Sequence, residues 1–488
     1  MPGADVPGVR HNLAYNASAL DFVNLYFDEV FFQDVAMETN RYAAQVRGYA
    51  IADDESHKVS WTETSLNEIK AWLGINIATG LRSKSALNDI WSTDPLRHDS
   101  ALSKIMSRNR YWAISRYFHI VDNSAAVLDS DDPNYDSMFK VRSMIDRAND
   151  KFASIYKPKQ HISVDEAMIQ FNGRHSAKQY VRGKPIQWGF KVWVCAESSS
   201  GYALQVEIYQ GKVRDQARAE LRKSRGLGFD VVSNITKEYQ LKNHVIYFDR
   251  FFSSLHLAQH LLEQQTYVNS TVMLNRKGLP VAIKSLKLKK GEPCHQYRKG
   301  NLLMTVFHDK RQVSHLSTGC QPGLMLNSTK PLVNSDYNKY MGGVDLCDQH
   351  KSYYKVGRKS LKWWRYIVWY LLNVPINNAY QEWQETLPPL PMLTDAFVKN
   401  RKAYSRKLFR LDVVRQLIGG HSENSSRLLL SGAKRKSAET CTAQMRLDVA
   451  INHIASYSAE QRVCRYCSSK GLKTSNHYQV RCRTTCNA

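Results

Sequence analysis

The stretch HISVDEAMIQF, His161 to Phe171, decides the fold. Apolar and polar residues alternate in it and β-formers dominate, so it reads as a strand. Outward from it, GFKVWVCA (Gly189 to Ala196) reads as a second strand and YALQVEIYQ (Tyr202 to Gln210) as a third, with the turn ESSSG (Glu197 to Gly201) between them. After a polar stretch expected to be helical, HVIYF (His244 to Phe248) is a short continuous apolar run, the pattern of a buried central strand. SSLHLAQHLLEQQ (Ser253 to Gln265) reads as a serine-capped helix and TYVNSTVML (Thr266 to Leu274) as a fifth strand. Three strands joined by turns, then helix, strand, helix, strand, imply an α/β mixed sheet flanked by helices.

The RNase H-like fold is one architecture with that order. On the N-terminal side the chain reads as helical. Ser65 and Glu68 form a candidate capping box ahead of Ile69, Leu73 and Ile77, which share a helical face with Leu66. Met106 to Asn123 mixes arginines with aromatics, which suits a basic helix beside DNA and a helix that buries its rings equally well. Residues 275–335 are rich in Lys, Gly and Pro and read as an insertion. Leu361 to Trp383 reads as a buried helix bent near Pro375, and Thr394 to Ile418 as one basic helix. The expected organisation is a tail (1–17), a helical dimerisation and DNA-binding region (18–158), a core in two parts (159–274 and 336–385) around the insertion, a second helical DNA-binding part (386–420), a linker (421–460) and a cysteine-rich module (461–488).

Lys and Arg number 68 against 44 Asp and Glu, a formal charge of +24 in 488 residues. Such an excess favours a polyanionic partner, because cations displace the counterions condensed on a phosphate backbone. The scattered cysteines (Cys195, Cys294, Cys320, Cys347, Cys441) do not form a disulfide framework and fit a reducing compartment. No apolar signal core opens the chain, and no apolar run approaches the length of a membrane span. The cluster Lys434 to Lys436 is a weak nuclear-import match.

The acidic residues supply the candidate chemistry. Asp165 lies in or at the end of the first strand, Asp249 follows the apolar run, and Asp345 and Asp348 would share one helical face. Magnesium prefers oxygen ligands, and two ions about 3.5–4 Å apart stabilise the attacking and leaving oxygens of an in-line phosphoryl displacement. Position alone does not separate these residues from turn-forming or capping aspartates, and Glu166 fits a ligand's place as well as Asp165 does.

The chain resembles the piggyBac-type transposases, from about residue 18 to about residue 420. The resemblance is carried by ETNRYA (Glu38 to Ala43), FHIVDN (Phe118 to Asn123), FKVRSMID (Phe139 to Asp146), SVDEAMIQFNGR (Ser163 to Arg174), YFDRFFSS (Tyr247 to Ser254), NRKGLP (Asn275 to Pro280), HLST (His315 to Thr318), YNKYMGGVDLCDQ (Tyr337 to Gln349) and KWW (Lys362 to Trp364), in the family's order. It implies an RNase H-like core with a catalytic aspartate triad at Asp165, Asp249 and Asp345, a further important aspartate at Asp348, and two Mg²⁺ or Mn²⁺ ions. It also implies a dimer acting on double-stranded DNA in the nucleus. Cutting frees a 3′-hydroxyl, which forms a hairpin end with a TTAA overhang; the end is reopened and joined to a TTAA target. Where the family often reads GTVR, this chain has Ser270, Thr271, Val272 and Met273, and so lacks one arginine. Candidate phosphate contacts are Arg108, Arg110, Arg116, Arg276, Lys277, Lys399, Arg401 and Lys402.

Cys464 and Cys467 form a CxxC, followed by His477, Cys482 and Cys486, a donor set that suits tetrahedral zinc. The resemblance implies a cross-brace module there that reads transposon-end DNA. The later ligand pairs of that module are missing, so a truncated or single-zinc module is expected. Preserved catalysis is favoured by four retained aspartates. The alternative, a domesticated nuclear DNA- or chromatin-binding protein without transposition, is favoured by the shortened module.

Overall fold

The computed structural model describes residues 6–49, 61–82, 86–211, 216–388, 392–419, 421, 453–457 and 478–482. They belong to two units, 1–425 and 426–488. The first unit opens with β1 (Gly8–Val9) and the helices α1 (Ala19–Asn24), α2 (Glu29–Tyr49), α3 (Leu66–Leu81), α4 (Arg108–Tyr117) and α5 (Phe139–Ile155). Ser65 caps α3 by accepting from the Glu68 N–H, but only half of the expected capping box forms. The Glu68 carboxylate turns instead to the Thr64 hydroxyl and to Arg110.

After β2 (Tyr156–Lys157) come the sheet strands β3 (His161–Gln170), β4 (Lys178–Tyr180), β5 (Trp188–Glu197) and β6 (Ala203–Ile208). The polar stretch beyond them is helical, as α6 (Gln216–Arg225) and α7 (Leu227–Ile235). Then follow β7 (Val245–Phe248), α8 (Leu255–Glu263) and β8 (Tyr267–Thr271). Ser254 rather than Ser253 caps α8; Ser253 is fully buried and hydrogen-bonded to Ser270. The insertion contains α9 (Val281–Lys284), β9 (His295–Lys299), β10 (Leu302–His308) and β11 (Gln312–Ser317). Its strands extend the main sheet, because β11 pairs antiparallel with β8. The sheet order is β4-β5-β3-β7-β8-β11-β10-β9, with β6 also on β5. Only β3–β7 and β7–β8 are parallel, which makes the sheet mixed, as the order of elements required.

The unit continues with α10 (Leu332–Tyr340), α11 (Gly343–Ser352), α12 (Trp363–Glu385), α13 (Asp395–Ala403) and α14 (Arg406–Gly419). The single helix expected over Thr394 to Ile418 is therefore two. Ser405 starts the second by accepting from the Leu408 N–H, a local bond that competes with helix continuation. α12 runs through Pro375 and is buried almost throughout. Its polar residues have structural partners. Asn378 both donates to and accepts from the Ala203 backbone, closing the edge of β6 as a neighbouring strand would. Buried Arg410 is held by Asn373 and Asn377.

Glu382 of α12 is fully buried against the hydroxyls of Tyr26 and Tyr202. Burial pushes its carboxyl up to about 8, the two hydroxyl bonds pull it partly back, and the charge of Glu385 raises it again. A raised folded-state pKa means that the folded chain holds a proton the unfolded chain has lost. Stability is therefore expected to fall as pH rises from the ordinary glutamate range to about 8 and to level off above it. Urea titrations at several pH values should show this slope, and Glu382→Gln should flatten it.

In the second unit β12 (His453–Tyr457) pairs antiparallel with β13 (Tyr478–Cys482).

Candidate active site

β3 carries Asp165 in mid-strand, and β7 ends one residue before Asp249. The parallel register pairs Ser163 with Tyr247 and Val164 with Phe248. The ladder ends there, so Asp165 and Asp249 each directly follow the last paired position of their segments.

The third carboxylate arrives on a helix. A methyl group on Gly343 would lie 2.5 Å from the Ser163 Oγ and 2.9 Å from both the Glu197 carbonyl oxygen and the Ser198 Cα, so α11 is pressed directly onto the sheet. Ser163 shares the face of Asp165, and Asp345 is in the first turn of α11. Thus α11, and Asp345 with it, lies on the Asp165 side of β3. The preceding helix is fastened there too. The Tyr247 hydroxyl and the Asn269 amide both donate to Asp336 of α10, at 2.8 and 3.0 Å, and His161 stacks on Tyr340 at 3.7 Å.

Tyr337 of α10 lies within electrostatic reach of all three. Burial pushes its hydroxyl up to about 12; a bond with Thr271 opposes this, and the charges of Asp249, Asp165 and Asp345 all add to it. The carboxylates are themselves shifted. Burial raises Asp165, and a hydrogen bond and charge from Glu166 raise it further. Burial also works on Glu166, but the bond from Asp165 and the charges of Lys184 and Lys191 outweigh it and hold Glu166 below its ordinary range. Burial and the neighbouring charges thus push the two carboxyls in opposite directions. Burial raises Asp249 as well, against a bond from the Phe251 N–H and with the charge of Glu166 adding to the rise.

Lys184 contacts Glu166 at 3.4 Å, and Lys191 lies over the Trp193 ring at 4.0 Å and the Phe251 ring at 4.9 Å. These two lysines escaped the sequence reading. Lys191 left a signal, a lone cation inside the apolar strand GFKVWVCA; Lys184 left none. Asp165, Glu166, Asp249 and Asp345 offer carboxylate oxygens, the donor type that hard divalent cations prefer. Among the described residues, however, no three acid, histidine or cysteine side chains are gathered closely enough to hold an ion. Asp165 accepts from the Glu166 N–H and Asp249 from the Phe251 N–H, each at 2.8 Å. Asp348, one turn beyond Asp345, is paired with Lys351 at 2.7 Å.

The candidate DNA contacts occupy three separate elements. On α4, Arg108 and Arg116 are exposed, while Arg110 is engaged inside the protein with Glu68 and the carbonyls of Thr62 and Glu63. That helix also buries Tyr111 and Tyr117 and leaves Trp112 exposed. In the NRKG turn Lys277 is exposed, but Arg276 donates to the carbonyls of Arg250 and Phe251. On α13, which buries no side chain, Lys399 and Lys402 are exposed and Arg401 lies over Trp383 at 4.3 Å. Cys464, Cys467, His477, Cys486 and Lys434 to Lys436 lie outside the described residues. Cys482 ends the backbone of β13, and its side chain is likewise outside them. Cys195, Cys294, Cys320 and Cys347 are free thiols. Among the described residues no helix is long and apolar enough to cross a membrane.

A family model described as "Transposase IS4" matches residues 18–380. Human PiggyBac transposable element-derived protein 2 is 27% identical over 395 residues, which cover 78% of this chain and 63% of that protein. Human PiggyBac transposable element-derived protein 5 is 25% identical over 436 residues, covering 85% of this chain and 78% of that protein. The chain thus spans less than two thirds of the first relative's length. Its fold matches a cryo-EM structure of a piggyBac transposase synaptic complex with hairpin DNA, with a TM-score of 0.71 at 23% identity, over 97% of this chain and 95% of that one.

Proposed function

Because the chain belongs to the piggyBac-type transposase family, we propose that it is a cut-and-paste DNA transposase acting through Asp165, Asp249 and Asp345. The observation that supports the reading is that Asp165, Asp249 and Asp345, on β3, just after β7 and on α11, all act on the Tyr337 hydroxyl through their charges. In this reading their carboxylates hold two Mg²⁺ or Mn²⁺ ions in an RNase H-like core. Bound there, the metal supplies an activated water and stabilises charge on the attacking and leaving oxygens. Asp345 and Asp348 bring the first two turns of α11 to the scissile phosphate. Lys184 and Lys191 lie beside the acids, where their charge restrains the carboxylates and favours approach of the phosphate.

Hydrolysis of one phosphodiester frees a 3′-hydroxyl. That hydroxyl displaces the opposite strand to give a hairpin end, and after reopening the end joins a TTAA target. Two DNA ends call for a homodimer. The charge excess supports DNA as the partner, and nuclear action follows from that substrate. The C-terminal cysteines would bind zinc and contribute to recognition of the ends.

A second reading is a domesticated DNA- or chromatin-binding protein that no longer moves DNA. It is favoured by the relatives' own description as "transposable element-derived". Purified chain given Mg²⁺ and TTAA-flanked candidate ends separates the two. Nicking with hairpin formation supports the transposase, and tight binding without any nick supports the domesticated protein.

A further inference from the structure

The geometry points to Arg276 as the positioning residue for the Asp249 carboxylate, a role that rests on the reading of Asp249 as a metal ligand. Its guanidinium donates to the carbonyls of Arg250 and Phe251, at 3.0 and 2.7 Å. The Phe251 N–H in turn donates to the Asp249 Oδ1 at 2.8 Å. The Arg250 carbonyl and the Phe251 N–H are the two ends of a single peptide group. Arg276 therefore grips one end of the peptide whose other end orients the carboxylate, and bonds in series on one peptide polarise each other.

The turn that delivers Arg276 is itself anchored. Gly278 has φ +89°, and a methyl there would lie 3.1 Å from Leu255, at the start of the helix into which the Asp249 loop runs. Leu279 and Ile283 are buried in one cluster with Ala258 of that helix. The Arg276 guanidinium directs these bonds to the backbone of the Asp249 loop, and its Nε is buried. Arg276 thereby couples the insertion segment to the site.

The test uses the full chain. Mn²⁺ binding is measured by the electron paramagnetic resonance of the free ion, without DNA, and DNA affinity is measured as a function of salt. Arg276→Ala should weaken Mn²⁺ binding about tenfold or more, the size of other losses of outer-shell partners, and leave the salt slope of DNA binding at the parent value. Both bonds come from one guanidinium nitrogen, so Arg276→Met, which keeps an apolar stem but donates nothing, should also bind Mn²⁺ more weakly than the parent. It carries the comparison if the alanine variant fails to fold. Exposed Lys277→Ala should do the reverse, lowering the slope while Mn²⁺ binding holds. A slope reduced by about 0.9 in Arg276→Ala with unchanged Mn²⁺ binding would make Arg276 a phosphate contact and overturn the proposal. Parent-like Mn²⁺ binding in both Arg276 variants overturns it too. Absence of Mn²⁺ binding by the parent chain would instead remove the reading of Asp249 on which the proposal stands.

Discussion

Asp249→Asn and Asp165→Asn are each expected to lower DNA nicking by about a thousandfold or more, with DNA affinity in the absence of metal unchanged or higher. Metal stabilisation of transition-state charge is worth several kcal/mol, and each ~1.4 kcal/mol is tenfold in rate. The same substitutions should leave the fold at least as stable. Burial and the neighbouring acid push both carboxyls above their ordinary range, so their ionised forms are disfavoured in the folded protein. A neutral amide of the same shape removes that penalty. Loss of function without loss of stability is the mark of a site that evolution has left strained. Thermal unfolding with and without Mn²⁺ sharpens the result. The ion should raise the parent's midpoint through linkage and do so less in either variant. Full nicking by Asp249→Asn would contradict the assignment, and an unfolded variant would show that the residue was holding the loop.

The contrast between what the sequence disclosed and what it concealed follows the range of the forces involved. β3, β5, β6, β7 and β8 were legible because each buries its own apolar residues and is bounded by its own turns. β9, β10 and β11 were not. The edge strand HQYRK has no buried residue, and the apolar run in β10 lies in a segment otherwise dominated by Lys, Gly and Pro. These three pair with one another as successive antiparallel neighbours, and β11 alone docks on β8. The break between α13 and α14 was missed for a local reason, since a serine inside a basic helical pattern gives no warning that it will act as a cap.

The site divides in the same way. Placement in or after a strand made Asp165 and Asp249 candidates and a shared helical face made Asp345 and Asp348 candidates, but motif resemblance was needed to select among them. Tyr337 and Lys184 depend on which elements meet in space. Arg110 and Arg276 show the converse. As cations in basic or motif-bearing stretches they read as DNA contacts, yet both side chains bond other groups of the protein.

Of the two glycines in GGVD, Gly343 is expected to be indispensable and Gly342 replaceable by alanine. Around Gly342 nothing lies within 4 Å of the added methyl, and its φ of −85° suits any residue. Gly342→Ala should therefore keep parental nicking and gain up to about 1 kcal/mol, chiefly by restricting the unfolded chain. At Gly343 the methyl would meet the Ser163 Oγ at 2.5 Å and the Glu197 carbonyl oxygen and Ser198 Cα at 2.9 Å. The serine hydroxyl can rotate away, but the other two atoms are backbone of β5 and the turn after it, so α11 must retreat. Overpacking of this kind costs about 1–3 kcal/mol, and a displacement of about 1 Å at reacting groups costs on the order of a hundredfold in rate. Because Asp345 is two residues further along the same helix, Gly343→Ala should lose about a hundredfold in nicking and weaken Mn²⁺ binding, with the chain still folded by circular dichroism. Adding Ser163→Ala clears only the nearest of the three contacts and should restore only part of the rate. Full recovery in that double variant would mean that the hydroxyl alone sets the approach of α11; parental nicking by Gly343→Ala would mean that the helix bearing Asp345 need not lie against β3 for catalysis.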